Sequence, residues 1–150
     1  KAAKRTRDRF VAAGLPAERL EIEGRRTFAE GFAEYSTIDV ALDPLVFSGA
    51  TTTLDCLHGG LPVITRPGTL PHTRSSLAIL AHLGLDELIA HNDEDLVRRA
   101  VDLLRDDPRR QALSARLPGR VTDSSLTDPA RFMPAFEAAL LSAHARTRPP

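Results

Sequence analysis

A chain of 150 residues is long enough for one domain with a real core, and 42% hydrophobic residues mark a globular composition rather than a disordered one. The 20 basic and 20 acidic side chains cancel, which gives no support for nucleic acid as a partner, and no apolar run approaches membrane-spanning length. A lone cysteine, Cys56, excludes an internal disulfide framework and fits a reducing compartment, so a cytoplasmic location is expected.

The chain opens on a basic run, Lys1, Lys4, Arg5, Arg7 and Arg9, with no capping residue before it. Positive charge suits a helix N-terminus poorly. The helix read over residues 1–13 is therefore expected to start upstream, in a longer protein. Gly14 is its C-cap. Residues 20–23 alternate apolar and charged and predict a short strand. Residues 28–35 predict a helix, with Phe28, Phe32 and Tyr35 at helical spacing. Residues 38–42 read as a strand ended by Asp43-Pro44. A helix follows from about Thr52 and stops at Gly59-Gly60. Residues 61–65 read as a third strand, broken by Arg66-Pro67-Gly68.

Residues 73–83 predict a helix closed by Gly84, and residues 87–90 a last short strand. Residues 93–104 and 108–117 are amphipathic, and Asp128-Pro129 opens a final helix as N-cap and first-turn proline. Arg146-Thr147-Arg148-Pro149-Pro150 reads as a frayed end. Strands alternating with helices indicate an α/β fold with a Rossmann-like parallel sheet and flanking helices, followed by C-terminal helices over about residues 92–146. No domain boundary is evident within residues 1–150.

The most informative stretch is Ser48-Gly49-Ala50-Thr51-Thr52-Thr53-Leu54-Asp55. It lies between the strand ending near Leu42 and the helix after it. A small-residue turn at that point leaves backbone N–H groups open at a helix start, where the dipole also favours an anion. Three threonine hydroxyls add donors. Gly49 permits close approach of a phosphate. Asp55, about one turn further in, can accept from a ribose diol. The pattern reads as a seat for a nucleotide diphosphate. Helix capping alone would use the same threonines, and Asp55 could be a plain first-turn acid.

Other chemistry-bearing residues give bland readings. Cys56 reads as a small buried residue, because no base partner for a thiolate is evident. The histidines at 58, 72, 82, 91 and 144 lack metal-ligand spacing. Asp93-Glu94-Asp95 matches a metal-binding DxD string, but it opens an amphipathic helix after Asn92, where acids belong. No metal and no other cofactor are expected. His72 and Arg74 form a possible site loop, with loop ordering the simpler role for Arg74.

The ordered series of motifs resembles the SPINDLY-type O-linked N-acetylglucosaminyltransferases. It comprises Ile38-Asp39-Val40-Ala41-Leu42-Asp43-Pro44, the turn above, Gly60-Leu61-Pro62-Val63-Ile64-Thr65-Arg66-Pro67-Gly68, Thr73-Arg74-Ser75-Ser76 and Gly84-Leu85-Asp86-Glu87-Leu88-Ile89-Ala90. The resemblance runs best from about residue 19 to 137 and implies the C-terminal, donor-binding half of a GT-B-type glycosyltransferase. It implies transfer of N-acetylglucosamine, or a related sugar, from a uridine diphosphate (UDP) sugar to serine or threonine hydroxyls of a protein acceptor. A missing N-terminal catalytic domain would complete it, often preceded in the family by tetratricopeptide repeats. By position, Gly49, Ala50, Thr51, Thr52 and Thr53 fall at the family's donor seat, Thr51 and Thr52 holding the diphosphate and Asp55 the ribose. Ala50 stands where the family often has histidine, and Gly31 where a family histidine stacks on uracil. Those two departures leave open an alternative: a catalytically inactive nucleotide-sugar-binding or protein-interaction module.

Overall fold

The structure is a computed structural model that describes residues 2–147. Lys1 and residues 148–150, with part of the basic run and of the expected frayed end, lie outside it. The chain divides into two compact units, one ending at Gly31 and the other beginning at Phe32.

In the first unit, α1 (Ala2–Ala12) ends at Gly14, whose φ of +95° is one that L side chains rarely adopt. A single 3₁₀ turn follows at Ala17–Arg19. Arg7 donates to the carbonyls of Ala17 (3.2 Å) and Leu20 (3.1 Å). The strand expected at residues 20–23 does not form. An extended segment becomes a strand only when a neighbour supplies ladder hydrogen bonds, and among the described residues none lies alongside. α2 (Phe28–Glu34) opens on a capping box, with the Thr27 N–H donating to the Glu30 carboxylate at 2.8 Å.

The second unit holds the sheet. β1 (Ala41–Leu42) pairs in parallel with β2 (Val63–Ile64), Ala41 opposite Val63 and Leu42 opposite Ile64. The crossover is α3 (Thr51–His58). Thr65 extends the order by a parallel bridge to Ile89. The fold is therefore α/β with parallel strands, as the alternation of elements indicates.

The strands are shorter than the apolar runs suggest. A 3₁₀ turn at Tyr35–Thr37 precedes Ile38, which stays exposed, so pairing begins only at Ala41. The fourth strand is reduced to the bridge at Ile89, because Asp86–Leu88 winds into 3₁₀ form. The helix expected from residue 73 is likewise split. Pro71–Thr73 is a 3₁₀ turn, and α4 (Ser75–His82) follows, closed by Gly84 at φ +65°.

α5 (Asp93–Arg105) is capped by Asn92, whose side chain accepts from the Asp95 N–H at 2.8 Å. α6 (Asp107–Thr122) runs five residues past Leu117, through Pro118. Leu113, Leu117 and Val121 recur at intervals of four and are all buried, which holds the helix together across the proline. α7 (Pro129–Thr147) starts on Asp128, which accepts from the Ala130 N–H at 2.9 Å. The core of this unit is built around Leu57, Ile64, Leu80, Leu85 and Leu117, all fully buried. α3 packs on α6 and against β2, so its N-terminus is anchored from below.

Candidate functional site

The turn after β1 is held by one carboxylate. Asp43 is only 6% exposed. One of its oxygens accepts from the Gly49 N–H at 2.7 Å. The other accepts from the Ser48 hydroxyl at 2.9 Å and the Thr65 hydroxyl at 2.7 Å. The Ser48 hydroxyl in turn accepts from the Ser76 N–H at 2.9 Å, tying the turn to the start of α4. The Ser76 hydroxyl donates to the Gly49 carbonyl at 3.0 Å and lies 2.8 Å from the Thr53 hydroxyl. Every polar group in this buried cluster finds a partner, which is the condition under which such a network is tolerated and rigid.

Rigidity is delivered where α3 begins. Ala50 is its N-cap residue, with φ −127°, and makes no side-chain cap hydrogen bond. The first N–H groups of α3, from Thr51 onward, therefore have no side-chain acceptor. Thr51 and Thr52 are exposed beside them. Thr53 is different: it is 2% exposed and its hydroxyl meets Ser76. The expectation of three available hydroxyls reduces to two, because 100° of rotation per residue turns the third side chain into the protein. What Thr53 brings to the helix start is its backbone N–H.

Gly49 has a reason internal to the protein. A Cβ there would lie 2.5 Å from the Thr53 hydroxyl oxygen and 3.3 Å from an Asp43 oxygen. Gly49→Ala is accordingly expected to distort the turn and lower the melting temperature. A loss in Gly49→Ala/Thr53→Ala clearly smaller than the sum of the two single losses would identify that contact as the cause, and an unchanged melting temperature in Gly49→Ala would refute it.

A cavity of about 330 Å³ lies beside the turn, lined by Leu42, Pro44, Phe47, Ala50, Thr52 and Cys56 among others. Thr51 and Asp55 sit one turn apart on a neighbouring face of α3, outside that lining. Asp55 is half-buried. His72 reaches the rim indirectly: its ring stacks on Phe47 at 5.9 Å, and its carbonyl accepts from the Ser48 N–H at 3.0 Å. Arg74 donates to the Gly68 carbonyl at 2.8 Å and so orders the loop. Gly31 has open space where a side chain would be. A larger hollow, about 660 Å³, is bordered by His82, Arg116, Arg120 and Arg131 and includes none of the candidate residues.

Cys56 is buried, and burial pushes its thiol up from the usual value while the Tyr35 hydroxyl pulls the other way. That is the environment of an inert thiol. In the DxD string, the Arg99 guanidinium holds the Asp95 carboxyl well below the usual range, helped by the His91 N–H and by Arg98. Asp95 is thus occupied as a helix-start anchor. Among the described residues no group of three His, Cys, Asp or Glu is arranged to hold a metal ion.

The sequence alone does not mark Asp43, Thr65 or Ser76 as parts of the site. An aspartate at the end of a strand has no local signature that separates a buried anchor from a solvated turn residue. The residues that bury it are 22 and more positions away.

The profile of glycosyl transferase family 41 matches residues 8–135. A probable UDP-N-acetylglucosamine–peptide N-acetylglucosaminyltransferase SPINDLY of Eustoma exaltatum subsp. russellianum is 34% identical over 103 residues, 69% of this chain and 11% of that protein. The protein so described from Arabidopsis thaliana is 30% identical over 105 residues, 67% of this chain and 12% of its own length. Among solved structures, a mutant O-GlcNAc transferase of Thermobaculum terrenum superposes with a TM-score of 0.85 at 32% identity, covering 91% of this chain and 26% of that one. This chain therefore spans only about a tenth of the length of the curated relatives.

Proposed function

Because this chain belongs to glycosyl transferase family 41, we propose that it is the donor-binding part of a GT-B-type glycosyltransferase. The reaction is transfer of N-acetylglucosamine, or a related sugar, from its UDP conjugate to a serine or threonine hydroxyl of a protein. The observation that carries this reading is the uncapped start of α3, held in place by the buried Asp43 network.

As the glycosidic bond breaks, negative charge grows on the leaving diphosphate. Backbone N–H groups at the helix start and the Thr51 and Thr52 hydroxyls stabilise that charge without reorganising. No metal is needed for this in the proposal. The groups are fixed before the substrate arrives, since Asp43 and Ser76 hold the turn from beneath. Asp55 accepts from the ribose diol. A carboxylate beside a diphosphate would repel it, so Asp55 helps only by facing the sugar hydroxyls.

Acceptor binding and the remaining catalytic groups belong to a second domain of a longer protein, and turnover requires that domain. No helix among the described residues is long and apolar enough to cross a membrane. A cytoplasmic setting is part of the proposal. A second reading is favoured by Ala50, which brings no side-chain donor to the helix start: a module that binds the nucleotide sugar but has lost transfer.

Transfer of labelled sugar to a protein acceptor by the full-length protein separates the two readings. Turnover supports the enzyme, and donor binding without turnover supports the module. Robust turnover by residues 1–150 alone would overturn the requirement for a second domain. In the full-length protein, Asp55→Ala should weaken UDP by roughly 10- to 150-fold, at about 1.5–3 kcal/mol for a hydrogen bond to a charged group, and leave 2′,3′-dideoxy-UDP unaffected. Equal losses for both ligands would reduce Asp55 to a first-turn acid.

A further inference from the structure

The hollow of about 660 Å³ lies wholly within the second unit, where α4 and α6 end and α7 begins. Arg116, Arg120, Arg131 and His82 line it, against a single acid, Asp123. The chain as a whole carries 20 basic and 20 acidic side chains, so this excess of positive charge is local. Two of the arginines have a task inside the fold. Arg116 pairs with Glu87, and Arg131 donates to the Asp123 carbonyl at 2.8 Å. The His82 ring meets the Ser125 hydroxyl at 2.9 Å. Arg120 has no such task. It is exposed, stands one turn beyond Arg116 on the same face of α6, and makes no hydrogen bond or ion pair among the described residues.

We propose that this hollow docks an extended, acidic peptide segment of a partner protein. Charge gives the sign of the occupant and spacing gives its shape. One helical turn separates Arg116 from Arg120 by about 6 Å along the axis. In an extended peptide, alternate side chains point the same way and recur every 6.5 Å or about that. A segment with acids at alternate positions therefore offers one carboxylate to each guanidinium, and Arg131 at the start of α7 stands ready for a third. A guanidinium has five donors in a planar fork, so Arg116 can keep Glu87 and still take a second carboxylate. A compact anion such as free phosphate fits this place poorly. It binds best where several backbone N–H groups converge. Here α4 and α6 present their carbonyl ends, and the Asp128 side chain already accepts from the Ala130 N–H at the start of α7.

The test uses the full-length protein and a labelled peptide of alternating glutamate and serine, followed by fluorescence anisotropy. The same peptide with glutamine in place of glutamate is the uncharged control. The glutamate peptide should bind and the glutamine peptide should not. Arg120→Glu should weaken binding by roughly tenfold or more, because it sets like charges face to face. Arg120→Lys keeps the charge and should lose less than about threefold. Arg105→Glu reverses an exposed arginine outside the hollow and should leave binding unchanged. Inorganic phosphate should displace no more peptide than chloride does at equal ionic strength. Arg120 is exposed and unpaired, so its variants should melt with the parent, which assigns any loss to the peptide. No binding of the glutamate peptide by the parent, or parent-like binding by Arg120→Glu, overturns the proposal. Equal losses in Arg105→Glu and Arg120→Glu reduce the effect to overall charge and overturn it too. Selective displacement by phosphate would replace the peptide with a compact anion.

Discussion

Replacing Asp43 with alanine is expected to destabilise the protein by on the order of 4 kcal/mol and lower the melting temperature by roughly 10 °C. The carboxylate accepts three hydrogen bonds, from Gly49, Ser48 and Thr65, in a site shut off from solvent. Its removal strands two hydroxyls and one N–H. Each orphaned buried donor costs about 1–3 kcal/mol, and the three losses overlap because they share one acceptor. Asp43→Asn keeps the volume but turns an amide NH₂ toward donors on one side, so an intermediate loss is expected. Thr65→Val removes one donor and leaves the acceptor satisfied, at about 1 kcal/mol. UDP binding should fall with Asp43→Ala even below the melting transition, because the turn loses the clamp that sets the start of α3. Thermal denaturation that shows Asp43→Ala within a degree or two of the parent would remove the network from its assigned role.

The second large effect concerns the ligand and not the fold. Thr51→Val/Thr52→Val preserves side-chain volume and removes two hydroxyl donors at an exposed helix start. Each hydrogen bond to a charged phosphate contributes about 1.5–3 kcal/mol, so UDP affinity should drop by roughly 100-fold or more. Stability should change little, since neither side chain is buried. Thr53→Val is the informative control and should show the reverse pattern. Its hydroxyl faces Ser76 inside the protein, so stability falls and any change in UDP affinity follows from the disturbed turn. Calorimetry that shows unchanged UDP affinity in a folded Thr51→Val/Thr52→Val variant would move the diphosphate away from this turn.

The contrast among three adjacent threonines shows where legibility ends. The sequence marks the turn, the helix that follows and the residue types an anion needs, because each depends on neighbours a few positions away. It does not say which hydroxyls remain available. Helical rotation assigns Thr51, Thr52 and Thr53 to different faces, but only the position of α4 tells which face is interior. The same distinction runs through the fold. Gly14 and Gly84 close their helices and Asn92 and Asp128 open theirs, as local capping chemistry dictates. The alternating residues 20–23 have strand character yet form no strand, because a ladder needs a partner that local pattern cannot provide.

By itself, then, the sequence determined an α/β order of elements, a small-residue turn at a helix start, and the family whose motifs surround it. Tertiary structure decided what holds that turn. Hydrogen bonds across 22, 23 and 28 positions bring Thr65 and Ser76 to Asp43, Ser48 and Thr53, and convert a strand-end aspartate into the anchor of the site. The physical reason is range: capping, turn and periodicity signals act within about one or two helical turns, whereas burial of a carboxylate depends on which distant segments the core brings to its side.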